Sequence, residues 1–344
     1  MAKIAINGFG RIGRAFFKLA ITKPELEVVA VNDLGDIEAL AYLLKYDSIY
    51  GRYDGDISTK EADGKKYLVV GGRDVLFLQE KEPTALPWGA LGIDIVVEST
   101  GIFESFEKAS VHQKAGAKRV VLTAPAKDED GPDAKTVLMG VNEENLKTCS
   151  MSSNGSCTTN SASPVIQILS EKLGVKKAFL NTIHSYTAAQ ALIDGPPTKG
   201  SHDLRRGRAA AVNISPSTTG AAITVGKVVA AVKGKFDGIA LRVPTAAGSL
   251  SAITFISERP TTAEEINNIF KEAEKDPRWQ GIFKTTSDQL VSSDIVGDSY
   301  AAIADLGLTK VIDGDLCAVF SWYDNEFGYT NTLVEHVLKV AQLM

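Results

Sequence analysis

The sequence predicts two domains of different fold class: a doubly wound α/β domain, followed by an α+β domain with a mostly antiparallel sheet. Its 344 residues are enough for two domains with sizeable cores. In the first half, short apolar strands alternate with helical patterns, which is typical of a parallel sheet covered by helices. After about residue 150, strand patterns follow one another with few helices between them.

The elements of the first half are predicted from apolar spacing and turn residues. The pair Gly71-Gly72 indicates the turn of a hairpin within residues 67–78. Continuous apolar runs indicate buried strands, and apolar residues recurring every three or four positions indicate helices. The predicted strands are 3–7, 27–32, 93–98 and 119–123, and the predicted helices are 10–21, 37–44 and 103–115.

The second half contains one long predicted helix after Cys157 and a tail, 330–344, with the apolar spacing of a docked helix. The segment 194–208 is rich in glycine, proline and charge, and we expect a long ordered loop there. The remaining predicted elements are strands at 178–185, 238–243, 250–257 and 317–323 and a helix at 261–275.

Composition excludes several classes of function. The net charge is −5 and the one basic block is LRRGR at 204–208, so we expect no nucleic-acid partner, because phosphate-backbone binding needs a concentrated basic face. Three scattered cysteines form neither a disulfide framework nor a zinc motif. No apolar run reaches the roughly 18 residues of a membrane span, and no signal peptide is evident, so we expect a cytoplasmic protein without membrane contact.

A glycine motif follows the first strand and opens the first helix. Gly8, Gly10 and Gly13 have the spacing that dinucleotide sites use for a tight turn, close approach to the pyrophosphate and helix packing. Asp33 lies 20 residues after Gly13, at the end of the second strand, where an acidic residue takes the ribose hydroxyls. The alternative for Asp33 is a cap for the following helix. The motif favours a Rossmann-type domain.

The same region favours NAD over NADP. A 2′-phosphate at this position would meet Asp33, Asp36 and Glu38, and no arginine lies nearby in the sequence to neutralise it. Like charges at that distance repel, so we predict NAD as the cofactor.

Cys157 stands among small polar residues at the start of a helix, whose free N–H groups favour an anion. We therefore expect a reactive cysteine that is ionised at neutral pH; a packed, inert cysteine is the alternative. The start of the helix is open, because Pro164 fits either its first turn or a kink in a helix begun at Thr158. Cys149 and Cys317 are interpreted as structural.

A thiolate nucleophile usually has a histidine partner. The chain has four histidines, and His112, His202 and His336 lie in amphipathic helices or a charged loop. His184 ends a predicted strand and precedes a polar segment, which makes it the best candidate. The alternative is that His184 is an ordinary surface residue.

Several motifs together resemble the phosphorylating glyceraldehyde-3-phosphate dehydrogenase family. They run in the family's order from the first strand to the last helix: INGFGRIGR, SCTTN, HSYT, RAAAVNISPSTTGAA, LRVPT and WYDNEFGY. The resemblance implies oxidation of glyceraldehyde 3-phosphate to 1,3-bisphosphoglycerate through a cysteine thiohemiacetal and thioester. It also implies a homotetramer and an NAD-binding domain at 1–156. The catalytic domain would be 157–325, and the C-terminal helix 326–344 would dock back on the first domain.

The resemblance assigns site residues as well. Cys157 would be the nucleophile and His184 its base. The NAD site would consist of Gly8, Gly10, Arg11, Ile12, Gly13, Asp33, Thr100, Thr123, Asn325 (on the nicotinamide carboxamide) and Tyr329. The substrate phosphate would bind Thr187 and Arg242 with Arg206 nearby, and inorganic phosphate would bind Ser156, Thr158, Thr219 and Gly220. Hydroxyl and arginine pairs suit such anions.

The chain departs from the family pattern in places that remove no catalytic group. Ser161 replaces a frequent second cysteine, and Ala189 replaces a polar residue near the substrate phosphate. Ile223 and Thr224 replace a Lys-Ala pair, and the loop 194–200 is longer than usual. Two rival functions stay open: an erythrose-4-phosphate dehydrogenase, and an NAD-responsive thiol sensor without turnover.

Overall fold

A computed structural model describes residues 1–197 and 202–344. The described chain forms two compact units, each with its own sheet. The first unit consists of 1–137, 143–155 and 333–344, and the second of 138–142 and 156–332. Within the described residues, no helix combines the length and the apolar character needed to cross a bilayer.

The first unit is built on a nine-stranded sheet with helices α1 to α5. In chain order its elements are β1 (Ala2–Asn7), α1 (Arg11–Ala20), β2 (Leu26–Asn32), α2 (Ile37–Lys45), β3 (Tyr46–Asp47), β4 (Gly51–Arg52), β5 (Ile57–Ala62), β6 (Lys65–Val70), β7 (Arg73–Leu78), α3 (Trp88–Leu91), β8 (Ile95–Glu98), α4 (Phe106–Ala109), α5 (Val111–Lys114), β9 (Arg119–Leu122), β10 (Ala134–Thr136) and β11 (Met151–Ser153). The strands β3 and β4 form a separate two-stranded pair.

The strand order is β10-β11-β9-β8-β1-β2-β7-β6-β5, with β1 near the centre and crossovers on both sides of it. All pairs from β10 to β7 are parallel, and only the hairpins β7-β6 and β6-β5 are antiparallel. The central strands are fully buried, which explains their unbroken apolar runs. The predicted doubly wound α/β fold is confirmed.

Several elements of this unit differ from the prediction, which did not include β3, β4, α3, β10 or β11. The helix expected at 103–115 is divided into α4 and α5, which meet at Ser110. The strand β5 was not predicted, because it lies at the sheet edge and carries several exposed polar residues, so it lacks an apolar signal.

The second unit is built on an eight-stranded sheet in the order β13-β14-β12-β15-β19-β17-β16, with β18 paired to β19. Five of its seven strand pairs are antiparallel, while β12-β14 and β16-β17 are parallel. The predicted α+β fold with a mostly antiparallel sheet is confirmed. Its elements are α6 (Cys157–Lys172), β12 (Val175–Ser185), β13 (Ser215–Thr218), α7 (Ala221–Val228), β14 (Phe236–Val243), β15 (Ser249–Ser257), α8 (Ala263–Glu274), β16 (Phe283–Thr286), β17 (Ala302–Asp305), β18 (Lys310–Ile312) and β19 (Leu316–Tyr323).

The last helix, α9 (Phe327–Gln342), begins three residues earlier than predicted, and its part from Leu333 onward belongs to the first unit. There His336 is fully buried, with Ser152 Oγ 2.7 Å from its Nε2 and Asn154 Oδ1 3.3 Å from its Nδ1. The domain boundaries at 156 and 325 stay a prediction, because compactness alone assigns a role to neither unit.

Candidate active site

One candidate site, in the first unit, is the dinucleotide edge, which we define as Gly8, Gly10, Gly13 and Asp33. A Cβ added to Gly13 would lie 2.1 Å from the carbonyl oxygen of Gly8, and one added to Gly8 would lie 2.6 Å from the amide nitrogen of Thr100. A Cβ on Gly10 would meet nothing within 4 Å, and no side chain caps the helix α1 there. The edge therefore leaves open backbone at the start of a helix, where a pyrophosphate would bind.

Asp33 is fixed at the end of β2 by backbone donors from the neighbouring loops. Its Oδ2 accepts the N–H of Phe9 at 2.6 Å, and its Oδ1 accepts the N–H of Gly35 at 2.8 Å. The cap of α2 is Asp36 instead, which accepts the N–H of Ala39 at 3.0 Å. The alternative that Asp33 caps this helix is therefore wrong.

The other residues of the first unit that are predicted to bind NAD make contacts of different kinds. The Arg11 guanidinium forms an ion pair with Asp47 at 3.2 Å, and Ile12 is half-buried in the first turn of α1. Thr123 donates its N–H to the carbonyl of Glu98 at 3.0 Å. The candidate Thr100 donates its N–H to the Glu98 carboxylate at 2.8 Å.

Glu98 is a buried carboxylate that the sequence analysis missed. Its Oε2 lies 2.8 Å from His112 Nε2 and accepts from Asn7 Nδ2 at 2.6 Å, while its Oε1 accepts from Thr100. The polar sequence Glu-Ser-Thr at the end of a predicted strand could have indicated Glu98. Nothing in the sequence indicated that His112 contacts this carboxylate.

The other candidate site, in the second unit, is the thiol site, which we define as Cys157, His184 and Arg242. The helix α6 begins at Cys157, and Ser156 caps it by accepting the N–H of Thr159 at 3.1 Å. Pro164 lies inside the helix, so the early start is the correct alternative. The sulfur therefore stands in the first turn, where the backbone N–H groups of Cys157 and Thr158 form hydrogen bonds to it.

His184 approaches the sulfur from β12, with its Nε2 3.3 Å from Cys157 Sγ. The ring is buried with 3% exposed, so the alternative of an ordinary surface histidine is wrong. On its other side, Nδ1 lies 2.7 Å from the carbonyl oxygen of Ser185, which can only accept, and 2.7 Å from Arg242 Nη1, which can only donate. The tautomer that donates from Nδ1 to Ser185 leaves a lone pair on Nε2 toward the thiol.

The electrostatics of the site correct one expectation. Burial raises the pKa of the Cys157 thiol, although Arg242 and hydrogen bonds at Thr158 oppose the rise. Burial and the charge of Arg242 lower the pKa of His184 to about 3. Both shifts favour a neutral thiol beside a neutral imidazole, so the expected thiolate at neutral pH is not supported. Ionisation of the sulfur requires transfer of its proton to Nε2.

Two arginines of the second unit point to an anion. Arg242 is the register partner of His184 on the parallel strand β14, and its Nη1 donates to the Ser185 carbonyl at 3.0 Å. Arg206 donates to Ser217 Oγ at 3.1 Å. The Nε atoms of both arginines are buried, and neither has a hydrogen-bond partner among the described residues. Buried donors without partners are expected where a phosphate would complete them.

The hydroxyl side chains predicted to bind phosphate are not all linked by hydrogen bonds to the thiol site. Thr158 Oγ1 lies 2.9 Å from the Tyr323 hydroxyl, whose ring packs edge-on against His184. Thr187 donates both its N–H and its hydroxyl to Gln190 Oε1, at 2.8 and 3.2 Å. Tyr323 and Gln190 were not predicted from the sequence, although Tyr323 stands in WYDNEFGY and Gln190 follows HSYT by three residues.

Thr219 and Gly220 precede the helix α7. Thr219 Oγ1 accepts the N–H of Ala221 at 3.1 Å, and Gly220 caps the helix without a side-chain bond. A Cβ on Gly220 would meet nothing within 4 Å, so the backbone is open there. No hydrogen bond within the described chain links Thr187, Thr219 or Gly220 to Cys157.

Asn325 and Tyr329 follow β19. Asn325 is buried, and its Oδ1 accepts the hydroxyls of Ser185 at 2.8 Å and of Ser249 at 3.1 Å. Tyr329 is buried in α9, and its N–H donates to the carbonyl of Asp324 at 3.4 Å. Neither serine was singled out in the sequence, although Ser185 stands in HSYT.

The departures from the family pattern are accommodated locally. The buried Ser161 hydroxyl lies 3.1 Å from Ser251 Oγ, and Ala189 is half-buried beside Thr187. Ile223 is 64% exposed, and the Thr224 hydroxyl donates to the Gly220 carbonyl at 3.0 Å. The loops expected at 194–200 and 194–208 lie partly outside the described residues.

Comparison with known proteins finds two family models in succession. Residues 2–106 match the model described as glyceraldehyde 3-phosphate dehydrogenase, NAD binding domain, and residues 156–325 match glyceraldehyde 3-phosphate dehydrogenase, C-terminal domain. The chain is 47% identical to a glyceraldehyde-3-phosphate dehydrogenase of Clostridium pasteurianum, over 99% of this chain and 100% of the relative. It is 46% identical to that of Clostridium acetobutylicum (100% and 99% covered) and 47% identical to that of Mycobacterium avium (99% and 98%).

Proposed function

The chain belongs to the glyceraldehyde-3-phosphate dehydrogenase family, and we propose that it oxidises glyceraldehyde 3-phosphate to 1,3-bisphosphoglycerate in glycolysis. It is an NAD-dependent enzyme. The observation that carries the proposal is the 3.3 Å contact between Cys157 Sγ and His184 Nε2 at the start of a helix. A nucleophile with an adjacent base is the arrangement that covalent catalysis needs.

In the proposed reaction, the sulfur of Cys157 adds to the aldehyde carbon, and the thiol proton passes to His184 Nε2 and from there to the aldehyde oxygen. The product is a thiohemiacetal, whose carbon carries a hydride that can leave. Bound NAD supplies the hydride acceptor. Loss of the hydride, with transfer of the hydroxyl proton to His184 Nε2, leaves a thioester on Cys157, which keeps the energy of oxidation for acyl transfer.

The low pKa of His184, about 3, keeps its imidazole neutral before the reaction and also makes it a weak base for the thiol proton. In the tautomer that donates from Nδ1 to the Ser185 carbonyl, the Nε2 lone pair faces the sulfur and can accept that proton. The same ring, once protonated, would stabilise an oxyanion at the reacting carbon.

Inorganic phosphate would then attack the thioester and release the acyl phosphate. Two anion pockets are needed, one for each phosphate. We assign the substrate phosphate to Arg242, Thr187 and the nearby Arg206, and the buried unpaired Nε atoms of both arginines support this. We assign inorganic phosphate to Ser156, Thr158, Thr219 and Gly220, supported by the open backbone before α7.

The first unit would hold NAD at the dinucleotide edge. Gly8, Gly10 and Gly13 would let the pyrophosphate approach the start of α1, and Asp33 would accept the ribose hydroxyls. The further contacts that we propose are Arg11, Ile12, Thr100, Thr123, Asn325 and Tyr329.

We also propose a homotetramer, for which size-exclusion chromatography with light scattering is the test. Large apolar side chains are exposed in the second unit, which is typical of a subunit interface. They are Leu192 (83% exposed), Ile193 (77%), Leu204 (75%), Val212 (76%) and Ile214 (70%). The cytoplasmic location and the domain boundaries stay predictions.

One assay separates the proposed enzyme from its two rivals. NADH formation is followed with NAD and glyceraldehyde 3-phosphate, with and without inorganic phosphate, for the natural chain and Cys157→Ser. The proposal predicts sustained turnover only with phosphate, abolished in the variant. Equal turnover without phosphate, or faster turnover on erythrose 4-phosphate, contradicts it. Bound NAD without any NADH formation would favour the thiol sensor.

A further inference from the structure

Ser185 connects two candidate groups through different atoms. It follows His184 at the end of β12 and is fully buried. Its carbonyl oxygen accepts from His184 Nδ1 at 2.7 Å and from Arg242 Nη1 at 3.0 Å. Its hydroxyl donates to Asn325 Oδ1 at 2.8 Å. One residue thus contacts the base and the amide proposed for the nicotinamide.

A second serine completes the support of Asn325. Ser249 Oγ accepts the N–H of Ser185 at 3.1 Å and donates its proton to Asn325 Oδ1 at 3.1 Å. Ser249 Oγ already accepts the Ser185 N–H, so its proton is left to point to Asn325, which favours the oxygen at this end of the amide. Asn325 is 5% exposed, and its Nδ2 group has no hydrogen-bond partner among the described residues.

We propose that Ser185 is a positioning residue that holds Asn325 with its Nδ2 donors free for the carbonyl oxygen of the nicotinamide carboxamide. This inference rests on the proposed function. An amide that rotates without restraint would offer the ligand either its oxygen or its nitrogen, and would lose entropy when the ligand orders it. The hydroxyls of Ser185 and Ser249 remove that freedom before the ligand binds.

The same serine serves the base through its backbone. The Ser185 carbonyl lies 2.7 Å from His184 Nδ1 and favours the tautomer in which Nε2 is the proton acceptor beside the sulfur. Replacing the side chain leaves this carbonyl in place. The hydroxyl and the carbonyl of Ser185 therefore have separable effects, on nicotinamide binding and on the thiol site respectively.

The test is calorimetric titration of the full chain with NAD⁺ and, separately, with ADP-ribose, which lacks the nicotinamide. Ser185→Ala should raise the Kd of NAD⁺ about five- to tenfold, since it removes one buried hydrogen bond, and should leave the Kd of ADP-ribose unchanged. Ser185→Thr, which keeps a hydroxyl, should restore NAD⁺ binding. The matched control is Ser251→Ala, a fully buried serine on β15 outside this network.

A double-mutant cycle separates positioning from simple loss of packing. In an Asn325→Ala background, Ser185→Ala should cause no further loss of NAD⁺ affinity, because the group it positions is absent. Ser249→Ala removes the other hydroxyl that donates to Asn325 Oδ1. It too should weaken the binding of NAD⁺ more than the binding of ADP-ribose. Alkylation of Cys157 by iodoacetamide should keep its rate in Ser185→Ala.

The inference is overturned if Ser185→Ala binds NAD⁺ with the same Kd as the natural chain, or if the substitution raises the Kd of ADP-ribose by the same factor as the Kd of NAD⁺. An equal loss in the Asn325→Ala background would also overturn it. Failure of the proposed function gives a different result: the natural chain would form no NADH in the phosphate assay. The binding measurements would then still test the role of Ser185 toward the nicotinamide.

Discussion

The dinucleotide edge of the first unit and the thiol site of the second are built from different kinds of group. The edge consists mainly of backbone: three glycines at the start of a helix and one carboxylate fixed by main-chain donors. The thiol site consists of buried side chains whose charges alter one another's pKa. Binding of a dinucleotide can therefore depend mainly on the shape of the backbone, whereas a site that breaks covalent bonds depends on the pKa values of its side chains.

The largest effect is expected in the thiol site. His184→Asn removes the proton acceptor of Cys157, so turnover should fall roughly 100- to 10,000-fold. The pH midpoint of iodoacetamide labelling at Cys157 should rise, because the buried sulfur then lacks an acceptor for its proton. NAD⁺ affinity of the edge should hardly change. A His202→Asn control removes an exposed histidine, and an unchanged labelling profile in His184→Asn would contradict the pairing.

A second buried histidine sharpens the comparison, because His336 belongs to the first unit and touches no proposed site residue. Burial lowers its pKa to about 4, below the roughly 6.5 of an unfolded chain. Between these values the unfolded chain binds the extra proton, so stability is full above about pH 6.5 and is lost as the pH falls toward 4. The loss attributable to His336 over this window is about 3 kcal/mol.

The measurement is urea unfolding of the natural chain and His336→Gln at about pH 7 and about pH 5. The stability difference between the two pH values should shrink in the variant, while turnover per folded molecule at neutral pH stays the same. His202→Gln, an exposed histidine, is the control. Identical pH dependence in the natural chain and His336→Gln would mean that this histidine titrates normally.

At the dinucleotide edge, Gly13→Ala tests the role of shape. The new Cβ would lie 2.1 Å from the Gly8 carbonyl oxygen, so the backbone must shift, and we expect NAD⁺ affinity to fall about tenfold or more. Labelling of Cys157 should be unaffected. Gly131→Ala, at an open position, is the control. Unchanged NAD⁺ affinity in Gly13→Ala would refute a site formed by close backbone approach.

The smallest effect concerns the single charge of the edge. Asp33→Asn keeps an oxygen for Phe9 but removes the negative charge that would repel a 2′-phosphate, so the preference for NAD over NADP should fall about fivefold. The ratio of the two kcat/KM values measures this. Glu61→Gln, an exposed acidic residue on β5, should leave the ratio unchanged. If the ratio stays constant in Asp33→Asn, another residue selects the cofactor.

The sequence was most informative where local spacing decides structure. The central strands, α1 and the long helix α6 followed from apolar periodicity, and both sheet types were predicted correctly. The edge strand β5 and the short helix α7 were missed, since an exposed strand and a helix containing Gly226 carry weak patterns. Pro164 left the start of α6 open, and only the structure decided it.

The sequence could predict many residues of the candidate sites, but it could not predict the hydrogen bonds between them. Motifs indicated Cys157 and His184, but contacts between distant strands, such as Ser185 and Ser249 on Asn325, have no local signature. The protonation state of the Cys157 thiol could also not be predicted from the sequence. A helix start favours the anion, yet burial, which depends on the whole fold, raises the pKa of Cys157.

The central claim is that Cys157 carries the acyl group between oxidation and phosphate attack. The most direct test is intact-protein and peptide mass spectrometry after acid quenching of the chain mixed with NAD⁺ and glyceraldehyde 3-phosphate in phosphate-free buffer. The account predicts one added phosphoglyceroyl group, located on the peptide with Cys157 and removed by inorganic phosphate. No adduct while NADH is produced, or an adduct on another residue, would contradict it.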